Sequence, residues 1–486
     1  MTNRLDRDFH LPGLLRFALP TIIMMLVVSL YTIVDGVLIA RLVGENALAA
    51  ANVAYPAISF TLAMGIMLGT GGSAVVAHKM GAGYLEEARR DFGFLALVAV
   101  CIGLAVCLTG VLFSGPLARL LGASDLLLDD TVTYLRVQLC FAPMAMLQLL
   151  FESFFVTAGR PGLGLGLATA AGVTNAVLDY LYMGPMQMGI LGAALGTVTG
   201  YSIPAVVGVL FFLLRRQGLR FGRPHGDLRM LGRACFNGAS EMVTNLSMAV
   251  TTFLFNAIMM AYLGEAGVSA ITIVLYAQFL LVALYMGFSM GVAPVFSFNR
   301  GAGRYDRMRR IFGYCLRFIL VSSVAILVVA LALSGVVVGI FSTPGSQVYD
   351  IALDGFRRFA PAFLFAGVNI FSSALFTALS DGRTSAIISF ARTFGFLLLG
   401  LLLLPRLLEG EAAGLAVPLA ELLSCLLSVW FLRRKRADFG FGGGDLPRHG
   451  GRGGATGRRV YQHGSEAIIK APGATRRGPL IVLFRR

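Results

Sequence analysis

Two aspartates lie inside long apolar stretches, where a carboxylate is costly. Asp35 lies in PTIIMMLVVSLYTIVDGVLIARLVG (20–44), and Asp179 lies in GLGLGLATAAGVTNAVLDYLYM (162–183), four residues after Asn175. Residues at i and i+4 stack on one face of a helix. A charged side chain in hydrocarbon costs roughly 2.5–3.5 kcal/mol on insertion scales, so both carboxylates should face a protein interior or a water-filled cavity. For Asp179 alone, solvation at the helix end is the alternative.

Three polar residues share one depth within their apolar runs, and a fourth lies one turn deeper. Asp35 lies some five residues from the outer end of the first run, Asp179 about four from the outer end of the fifth, and Thr197 about nine from the outer start of the sixth. At roughly 1.5 Å per residue these groups occupy one layer in the outer half of a bilayer, with Asn175 one turn deeper. We therefore predict a cation-coupling site built from Asp35, Asn175, Asp179 and Thr197.

Two ions fit that site. Two carboxylates in a low-dielectric environment cannot both ionise cheaply, which suits a proton carrier. Together with amide and hydroxyl oxygens, Asp35 and Asp179 could instead coordinate Na⁺. The sequence predicts no catalytic residues, no cofactor and no other metal, since the six cysteines lack metal-ligand spacing and Walker A, HExxH and GxSxG motifs are absent.

Further charged residues interrupt the apolar runs. Glu241, in NGASEMVTN (237–245), is either a second site for a cation or substrate charge or a hydrogen-bonded carboxyl packed between helices. Glu152 lies near the inner end of the fourth run, where we expect an interfacial role. Glu421 lies in the middle of the last run and could pair with Arg392 or with a backbone group.

A proline precedes Asp35 in the first run. Pro20 lies 15 residues before Asp35, and the preceding residues Phe17-Ala18-Leu19 are predicted to be helical, so Pro20 is not at the helix start. A proline inside a membrane helix removes a backbone hydrogen bond and permits a kink. We therefore predict a helix kink at Pro20.

Composition identifies the class of protein. The chain has 486 residues, of which 57% are hydrophobic and 13% charged, whereas soluble proteins are about one-quarter charged. No cleavable signal peptide is visible. The fold class is therefore an all-α polytopic membrane protein. Twelve apolar runs form the candidate transmembrane helices: 12–40, 46–78, 92–114, 130–156, 162–183, 188–214, 232–262, 266–297, 311–341, 352–378, 385–405 and 411–432.

Charge asymmetry between the loops orients these helices. Loops after odd-numbered spans carry few cations, whereas every segment after an even-numbered span carries Lys or Arg. By the positive-inside rule, both termini are cytoplasmic. The basic segments are 78–79 with 89–90, Arg160, 215–233, 300–310, Arg383 and 433–436.

The chain also repeats itself. LVGENALAA (42–50) aligns with YLGEAGVSA (262–270), and MGAGYLEEARRDFGF (80–94) aligns with RGAGRYDRMRRIFGY (300–314), at one ungapped offset of 220 residues. Two six-helix lobes with even span counts must have the same orientation, so we predict a parallel repeat with a pseudo-twofold axis along the membrane normal and substrate between the lobes. At this offset Asp35 maps to Phe255, which assigns the carboxylates to the N-terminal half.

The predicted domains follow from the repeat. They are an N-terminal lobe (1–214), a cytoplasmic linker (215–232), a C-terminal lobe (233–436) and a disordered basic Gly/Arg-rich tail (437–486). Residues 433–486 hold 13 Lys/Arg against 3 Asp/Glu. Such a segment cannot build a core. We expect it to lie beside anionic lipid headgroups rather than to bind RNA.

Three stretches resemble one transporter family. PTIIMMLVVSLYTIVDGVLIARLVG (20–44), AGRPGLGLGLATAAGVTNAVLDYLYM (158–183) and NGASEMVTNLSMAVTTFLFN (237–256) are similar to the multidrug and toxic compound extrusion (MATE) transporters, in their MepA-like bacterial branch. The resemblance covers about residues 10–436. In prokaryotic members, a Pro and an Asp in span 1, Asn-x-x-x-Asp in span 5 and a Thr in span 6 form a cation site. The corresponding residues here are Pro20, Asp35, Asn175, Asp179 and Thr197.

One departure limits what the resemblance implies. NorM-like members use an acid deeper in span 7 and an Asp in span 10. This chain has Glu241 earlier in span 7 and Asn369 in span 10. The resemblance therefore does not extend to a Na⁺ site of that type in the C-terminal lobe.

The resemblance implies a secondary active multidrug antiporter of the bacterial inner membrane that confers antibiotic resistance. It would export cationic amphipathic small molecules in exchange for H⁺ or Na⁺ by alternating access, as a monomer in contact with membrane lipids and without nucleic acid. One alternative is a lipid-linked glycan flippase of the same superfamily, which needs a cationic cavity for which Arg392 is the candidate. The other is a polytopic membrane enzyme, which the five histidines, all in tails or loops, do not favour.

Overall fold

A computed structural model describes residues 4–407 and 414–439, which belong to one compact unit. The described residues form helices and connecting turns and no strand, which confirms the all-α fold class. The helices are α1 (Leu11–Leu42), α2 (Glu45–Gly81), α3 (Leu85–Leu120), α4 (Leu128–Cys140), α5 (Ala142–Thr157), α6 (Pro161–Met183), α7 (Gly189–Leu214), α8 (Leu228–Gly301), α9 (Tyr305–Ala332), α10 (Ser334–Gly339), α11 (Gln347–Phe359), α12 (Ala362–Ala378), α13 (Gly382–Phe390), α14 (Leu398–Leu407) and α15 (Ala416–Arg434).

Among the described residues, ten helices are long and apolar enough to cross a membrane, and two bent helix pairs bring the number to twelve. This confirms the predicted span count. The bent pairs are α4 with α5 and α11 with α12, and each bends by 55°. Proline is favoured in the first turn of a helix, and both breaks coincide with Phe-Ala-Pro, at residues 141–143 and 359–361.

Helix α8 holds two spans that meet at Gly264. The backbone of Gly264 has φ +65° and ψ −153°, which separates Leu228–Gly264 from Ala266–Gly301. Gly44, the equivalent residue between α1 and α2, has φ +124°. Glycine tolerates positive φ because it has no Cβ. The two turns therefore require glycine at both copies of the repeat.

The offset of 220 residues holds for the helix starts to within one residue. Helices α2 and α3 begin at Glu45 and Leu85, and their counterparts begin at Ala266 and Tyr305. The bent pairs begin at Leu128 and Gln347. The repeat predicted from isolated Gly, Glu and Arg matches is thus a repeat of the helix order.

Helices α2 and α8 pack backbone against backbone through glycines at their inner ends. A Cβ at Gly81 would overlap the carbonyl oxygen of Phe298, and a Cβ at Gly301 would overlap that of His78. Small residues allow such close approach between membrane helices. Nearer the middle of α1, Leu26 and Leu30 face Leu280 and Leu284 across an apolar cleft of about 470 Å³. The two halves therefore touch closely at one end and leave space further along.

Two extended segments tie the halves together at the predicted cytoplasmic end. Before α1, Asp8 forms an ion pair with Arg310 of α9 at 3.0 Å, and Phe9 is buried. Before α8, the carbonyl of Gly218 accepts a hydrogen bond from Arg89 Nε of α3 at 2.9 Å. In each case the segment that leads into one half is anchored on the other.

The predicted boundaries shift slightly. Helix α8 begins at Leu228, capped by the Asp227 side chain, so part of the predicted linker (215–232) is helical. After α15, Phe439 is buried and its ring lies 6.1 Å from that of Phe376. Packed structure therefore continues beyond the predicted start of the tail at residue 437, and the tail from residue 440 lies outside the described residues.

Candidate functional site

Helices α1 and α6 bring the two predicted aspartates together. The carboxyl groups of Asp35 and Asp179 lie within hydrogen-bonding distance of each other. On α6, Asn175 Nδ2 donates a hydrogen bond to Asp179 Oδ2 at 2.9 Å, as the i, i+4 spacing predicts. Asp179 is 0% exposed and Asn175 is 4% exposed, so this end of the site is shielded from solvent.

Each of these carboxyls keeps one buried oxygen without a donor. Among the described residues, neither Asp35 Oδ1 nor Asp179 Oδ1 accepts a hydrogen bond, although both atoms are buried. No ion pair to either aspartate is found in the described parts of the chain. Buried carboxylates need a paired charge or a proton. Two such oxygens on adjacent carboxyl groups could together accept one proton or one small cation.

Helix α7 closes the site from a third side. Thr197 is buried, and its hydroxyl donates to the carbonyl of Ala193 at 3.0 Å and contacts the Tyr134 hydroxyl. One residue earlier, a Cβ at Gly196 would overlap Asp179 Oδ1. Because glycine has no side chain, α7 can approach α6 closely enough to cover the Asp179 carboxyl.

Two tyrosines lie around the site, and the sequence pattern does not single them out. Tyr134 of α4 is buried and lies within electrostatic reach of both Asp35 and Asp179. Tyr31 lies one turn from Asp35 on α1, and its ring fills the space beside Gly172 of α6. Tyrosine is common in apolar helices, so its presence alone carries no signal. The available signal is its helical spacing, since Tyr31 precedes Asp35 by four residues.

Glu152 is not interfacial, and that expectation was wrong. It is 7% exposed, and Gln148 Nε2, one turn away on α5, donates to Glu152 Oε1 at 3.1 Å. The adjacent Ser153 packs against Gly69 in the interior of α2. The pattern Gln148-x-x-x-Glu152 repeats the amide–carboxylate spacing of Asn175 and Asp179, and this spacing could have identified the pair.

The C-terminal half contains a buried ion pair. Arg392 Nε donates to Glu421 Oε1 at 2.8 Å, which confirms the predicted pairing of these two residues. Asn369 Nδ2 donates to the other carboxylate oxygen at 2.7 Å, and Ser428 donates to Asn369 Oδ1 at 3.0 Å. Arg392 belongs to a π-helical segment, Ala391–Leu397. Such segments occur often at functional sites.

Neither Glu241 nor Pro20 belongs to the carboxyl pair. The Glu241 carboxyl faces the charge of Arg392 and makes no side-chain hydrogen bond within the described residues. Helix α1 continues through Pro20 without a non-helical residue. The next residue, Thr21, packs against Gly287 and Gly291 of α8. Pro20 therefore lies where the two halves touch rather than at the carboxyl pair.

The residues that the structure describes contain no group of three or more His, Cys, Asp or Glu side chains arranged to hold a metal ion. The carboxyl pair offers two carboxylates, one amide and one hydroxyl. The Asn175 amide nitrogen and the Thr197 hydroxyl proton are already committed to hydrogen bonds. The arrangement therefore favours a small monovalent cation or a proton.

Comparison with known proteins agrees with this architecture. The MatE family profile matches residues 20–181 and 242–402, more than half of the chain and once in each half. The multidrug export protein MepA of Staphylococcus aureus (strain MSSA476) is 23% identical over 434 residues, which cover 87% of this chain and 94% of that protein. MepA of Staphylococcus haemolyticus is 23% identical over 387 residues, covering 78% and 84%.

Solved structures share the fold. A MATE protein crystallised in complex with MaL6 superposes with a TM-score of 0.82 at 19% identity, covering 88% of this chain and 96% of that one. The outward-facing conformation of a multidrug resistance MATE family transporter of the MOP superfamily gives a TM-score of 0.81 at 18% identity, with the same coverage. At such identities the likeness establishes the arrangement of helices.

Proposed function

We propose that this chain, which belongs to the MatE family, is a secondary active multidrug exporter driven by an inward flow of protons. It takes up amphipathic, cationic small molecules and releases them outside by alternating access. The coupling site is the carboxyl pair of Asp35 and Asp179, with Asn175 and Thr197 as neutral partners. Na⁺ is the alternative coupling ion.

The contact between Asp35 and Asp179 carries this proposal. The two carboxyl groups touch, and each has one buried oxygen without a donor among the described residues. A single shared proton would place a donor between them and remove one of the two charges. Loss of that proton would leave two adjacent carboxylates in a low-dielectric site, which is unfavourable. Loss of the proton would therefore push α1 and α6 apart at the two carboxylates, which couples proton binding to the packing of these helices.

Na⁺ would use the same carboxylates but would need more oxygen ligands. In the present conformation Asn175 presents its amide nitrogen to Asp179, and Thr197 donates to its own helix. Both side chains would have to turn their oxygens towards the ion. A shared proton requires no such rearrangement, which is why we place it first.

The packing of the two halves supports alternating access. The glycine contacts between α2 and α8 close one end, whereas the apolar cleft between α1 and α8 leaves space further along. Small residues let membrane helices approach closely, so these glycines provide a contact about which the two halves could pivot. Asp35 lies on the same helix as the cleft residues Leu26 and Leu30, so a movement of α1 would change both the cleft and the carboxyl pair.

The substrate class follows from the cleft and from the relatives. Its apolar lining suits apolar bodies of varied shape. The preference for positive charge is inferred from the carboxyl pair of Asp35 and Asp179, which lies outside the lining of the cleft. The relatives in Staphylococcus carry the name multidrug export protein. We therefore assign amphipathic cations to this chain. We place it as a monomer in the bacterial plasma membrane, in contact with lipids, with both termini cytoplasmic and without cofactor or nucleic acid.

The flippase alternative loses its main candidate. A pyrophosphate-bearing lipid needs uncompensated positive charge in the cavity, yet Arg392 is paired with Glu421. The enzyme alternative also lacks support in the described residues. Of the three described histidines, His10 precedes α1, His78 lies in the last turn of α2, and His225 is exposed in the segment before α8, so none of them joins the buried carboxyls.

Proteoliposomes test the proposal directly. Wild-type protein is reconstituted, and efflux of the fluorescent cation ethidium is followed under an imposed pH gradient or, separately, an imposed Na⁺ gradient. We expect the pH gradient to drive efflux. Efflux driven only by the Na⁺ gradient would show that Na⁺, not the proton, is the coupling ion. The absence of efflux under both gradients would overturn the exporter assignment.

A further inference from the structure

The guanidinium of Arg215, which directly follows α7, has a buried nitrogen without an acceptor. Its Nη2 atom donates to the carbonyl of Ala158 at 3.3 Å, and its central carbon lies 5.3 Å from the centre of the Phe211 ring. Its Nη1 atom is buried and has no hydrogen-bond partner among the described residues. Burying a charged donor without a partner is unfavourable. Arg215 therefore needs an acceptor that the described residues do not supply.

A second cation lies near Arg215. Arg160 follows Ala158, whose carbonyl binds Arg215, by two residues, and its side chain is exposed. None of the ion pairs found among the described residues includes either arginine. Burial, and after it the charge of Arg160, lowers the pKa of Arg215. Two neighbouring positive charges without a carboxylate favour the binding of an anion from outside the chain.

The equivalent place in the C-terminal half contains an acid. Arg215 directly follows α7 and Lys435 directly follows α15, and the two cations are separated by the repeat offset of 220 residues. Lys435 Nζ forms an ion pair with Asp381 Oδ2 at 2.5 Å. At the same offset, Asp381 corresponds to Pro161, which has no charge. The chain therefore neutralises this cation in its C-terminal half, whereas the described residues do not neutralise it in the N-terminal half.

The acid of the C-terminal half also caps a helix. Asp381 Oδ1 accepts a hydrogen bond from the backbone nitrogen of Thr384, in the first turn of α13, at 3.4 Å. At the start of α6 the N-cap residue is Arg160, and no side chain caps the helix. By the repeat, an anion bound beside Arg215 would take the place that the Asp381 carboxylate has in the other half.

Apolar side chains place this site at the membrane surface. Leu210, Leu213 and Leu214, in the last two turns of α7, are 49%, 61% and 77% exposed. In a bilayer such side chains contact acyl chains. The charge asymmetry of the loops assigns this end of α7 to the cytoplasmic side. Basic pockets between membrane helices on that side are suited to lipid headgroups.

We propose that Arg160 and Arg215 form a binding site for the phosphate group of an anionic phospholipid in the cytoplasmic leaflet. Arg215 donates through Nη1, and Arg160 supplies a second positive charge. Arginine suits this role because its planar guanidinium remains charged and binds phosphate oxygens well. The exposed leucines of α7 favour a lipid over free phosphate. The site is independent of the carboxyl pair and of the proposed export activity.

Lipid-dependent thermal stability tests the site. Purified, delipidated protein in an uncharged detergent receives phosphatidylglycerol, phosphatidylcholine or inorganic phosphate, and its unfolding temperature is measured. We expect phosphatidylglycerol to raise the unfolding temperature of the wild type more than the other two additions do. Arg160→Gln and Arg215→Gln should each lose most of this rise. Arg160 is exposed and makes no side-chain hydrogen bond among those found in the described residues, so Arg160→Gln decides the result if Arg215→Gln does not fold.

Two further variants separate a specific site from general surface charge. Arg223→Gln removes an exposed cation from the same linker and should keep the full rise. Pro161→Asp supplies the acid of the C-terminal half and should make the unfolding temperature insensitive to phosphatidylglycerol.

Three outcomes would overturn the inference. The first is a wild type that phosphatidylglycerol does not stabilise more than phosphatidylcholine. The second is an equal rise in Arg160→Gln and Arg223→Gln, which would show that surface charge alone attracts the lipid. The third is a rise with inorganic phosphate as large as that with phosphatidylglycerol, which would assign the site to free phosphate.

Discussion

The Oδ1 atom of Asp179 occupies the space that Gly196 leaves open on the neighbouring helix. A Cβ at Gly196 would overlap this oxygen. The same oxygen has no hydrogen-bond donor among the described residues. The carboxyl is therefore positioned by the absence of a side chain on α7, not only by the amide of Asn175.

Replacing Gly196 with alanine should displace Asp179. The added methyl group forces the carboxyl or the helix to move, and overpacking of this kind costs about 1–3 kcal/mol. We expect Gly196→Ala to reach the membrane but to lose most gradient-driven efflux. Gly166→Ala is the matched control, because a Cβ at Gly166 meets no atom within 4 Å. Equal efflux from both variants would show that the close approach of α7 is unimportant.

Removing only one partner of the Arg392–Glu421 ion pair should destabilise the fold more than removing both. The side chains are 15% and 6% exposed, and a broken buried pair leaves an uncompensated charge at a cost of about 3–5 kcal/mol. Glu421→Gln should therefore lower the unfolding temperature in detergent more than the double variant Arg392→Met/Glu421→Met does.

An exposed pair supplies the comparison for that result. Asp354 and Arg358 pair at 2.8 Å one turn apart on α11, and Asp354 is 58% exposed. Exposed pairs contribute about 0–1 kcal/mol, so Asp354→Asn should leave the unfolding temperature nearly unchanged. If Glu421→Gln is equally mild, the Arg392 charge is satisfied by another group, for which Glu241 is the candidate, since Arg392 acts on its carboxyl electrostatically.

A C-terminal truncation should lower thermal stability only if it removes Phe439. Phe439 is 8% exposed and stacks under Arg300, whose guanidinium carbon lies 5.3 Å from the ring centre. Burying such a side chain stabilises a fold by roughly 1.5–3 kcal/mol. Truncation after Phe439 should preserve both efflux and thermal stability, whereas truncation after Arg436 should lower stability. Loss of efflux in the longer truncation would mean that the basic tail takes part in transport.

Topology can be tested with short epitope tags. Gly218 is a poor insertion point because its carbonyl accepts a hydrogen bond from Arg89, whereas Pro224 is exposed. Tags at Pro224 and at the C-terminus should be reachable only after cell permeabilisation, and a tag at the exposed Asp125 should be reachable in intact cells. A tag at Pro224 that is accessible from outside would rule out the predicted orientation.

Much of the fold could be predicted from sequence because membrane helices leave strong local signals. Apolar runs indicated the spans, and glycines at a constant offset indicated the repeat. Asp35 and Asp179 stood out because charges in apolar runs are rare. Their contact depends on packing between α1 and α6, which no local pattern encodes.

The remaining features depend on contacts between distant residues. Tyr31 on α1 and Tyr134 on α4 look ordinary in sequence, and only the packing of these helices with α6 places them around the carboxyl pair. Glu152 was assigned to the interface because a residue near the end of an apolar run is usually solvated. The interior position of α5 against α2 places it in the protein instead.

The central claim is that Asp35 and Asp179 act as one coupled cation site. The isosteric variants Asp35→Asn and Asp179→Asn remove charge but keep volume, and residues that act as a unit show non-additive losses. The decisive measurement is pH-gradient-driven ethidium efflux from proteoliposomes containing either single variant or the double variant. We predict that each single variant abolishes efflux, that the double variant is no worse, and that ethidium still binds without a gradient. Single variants that both retain gradient-driven efflux would contradict the account.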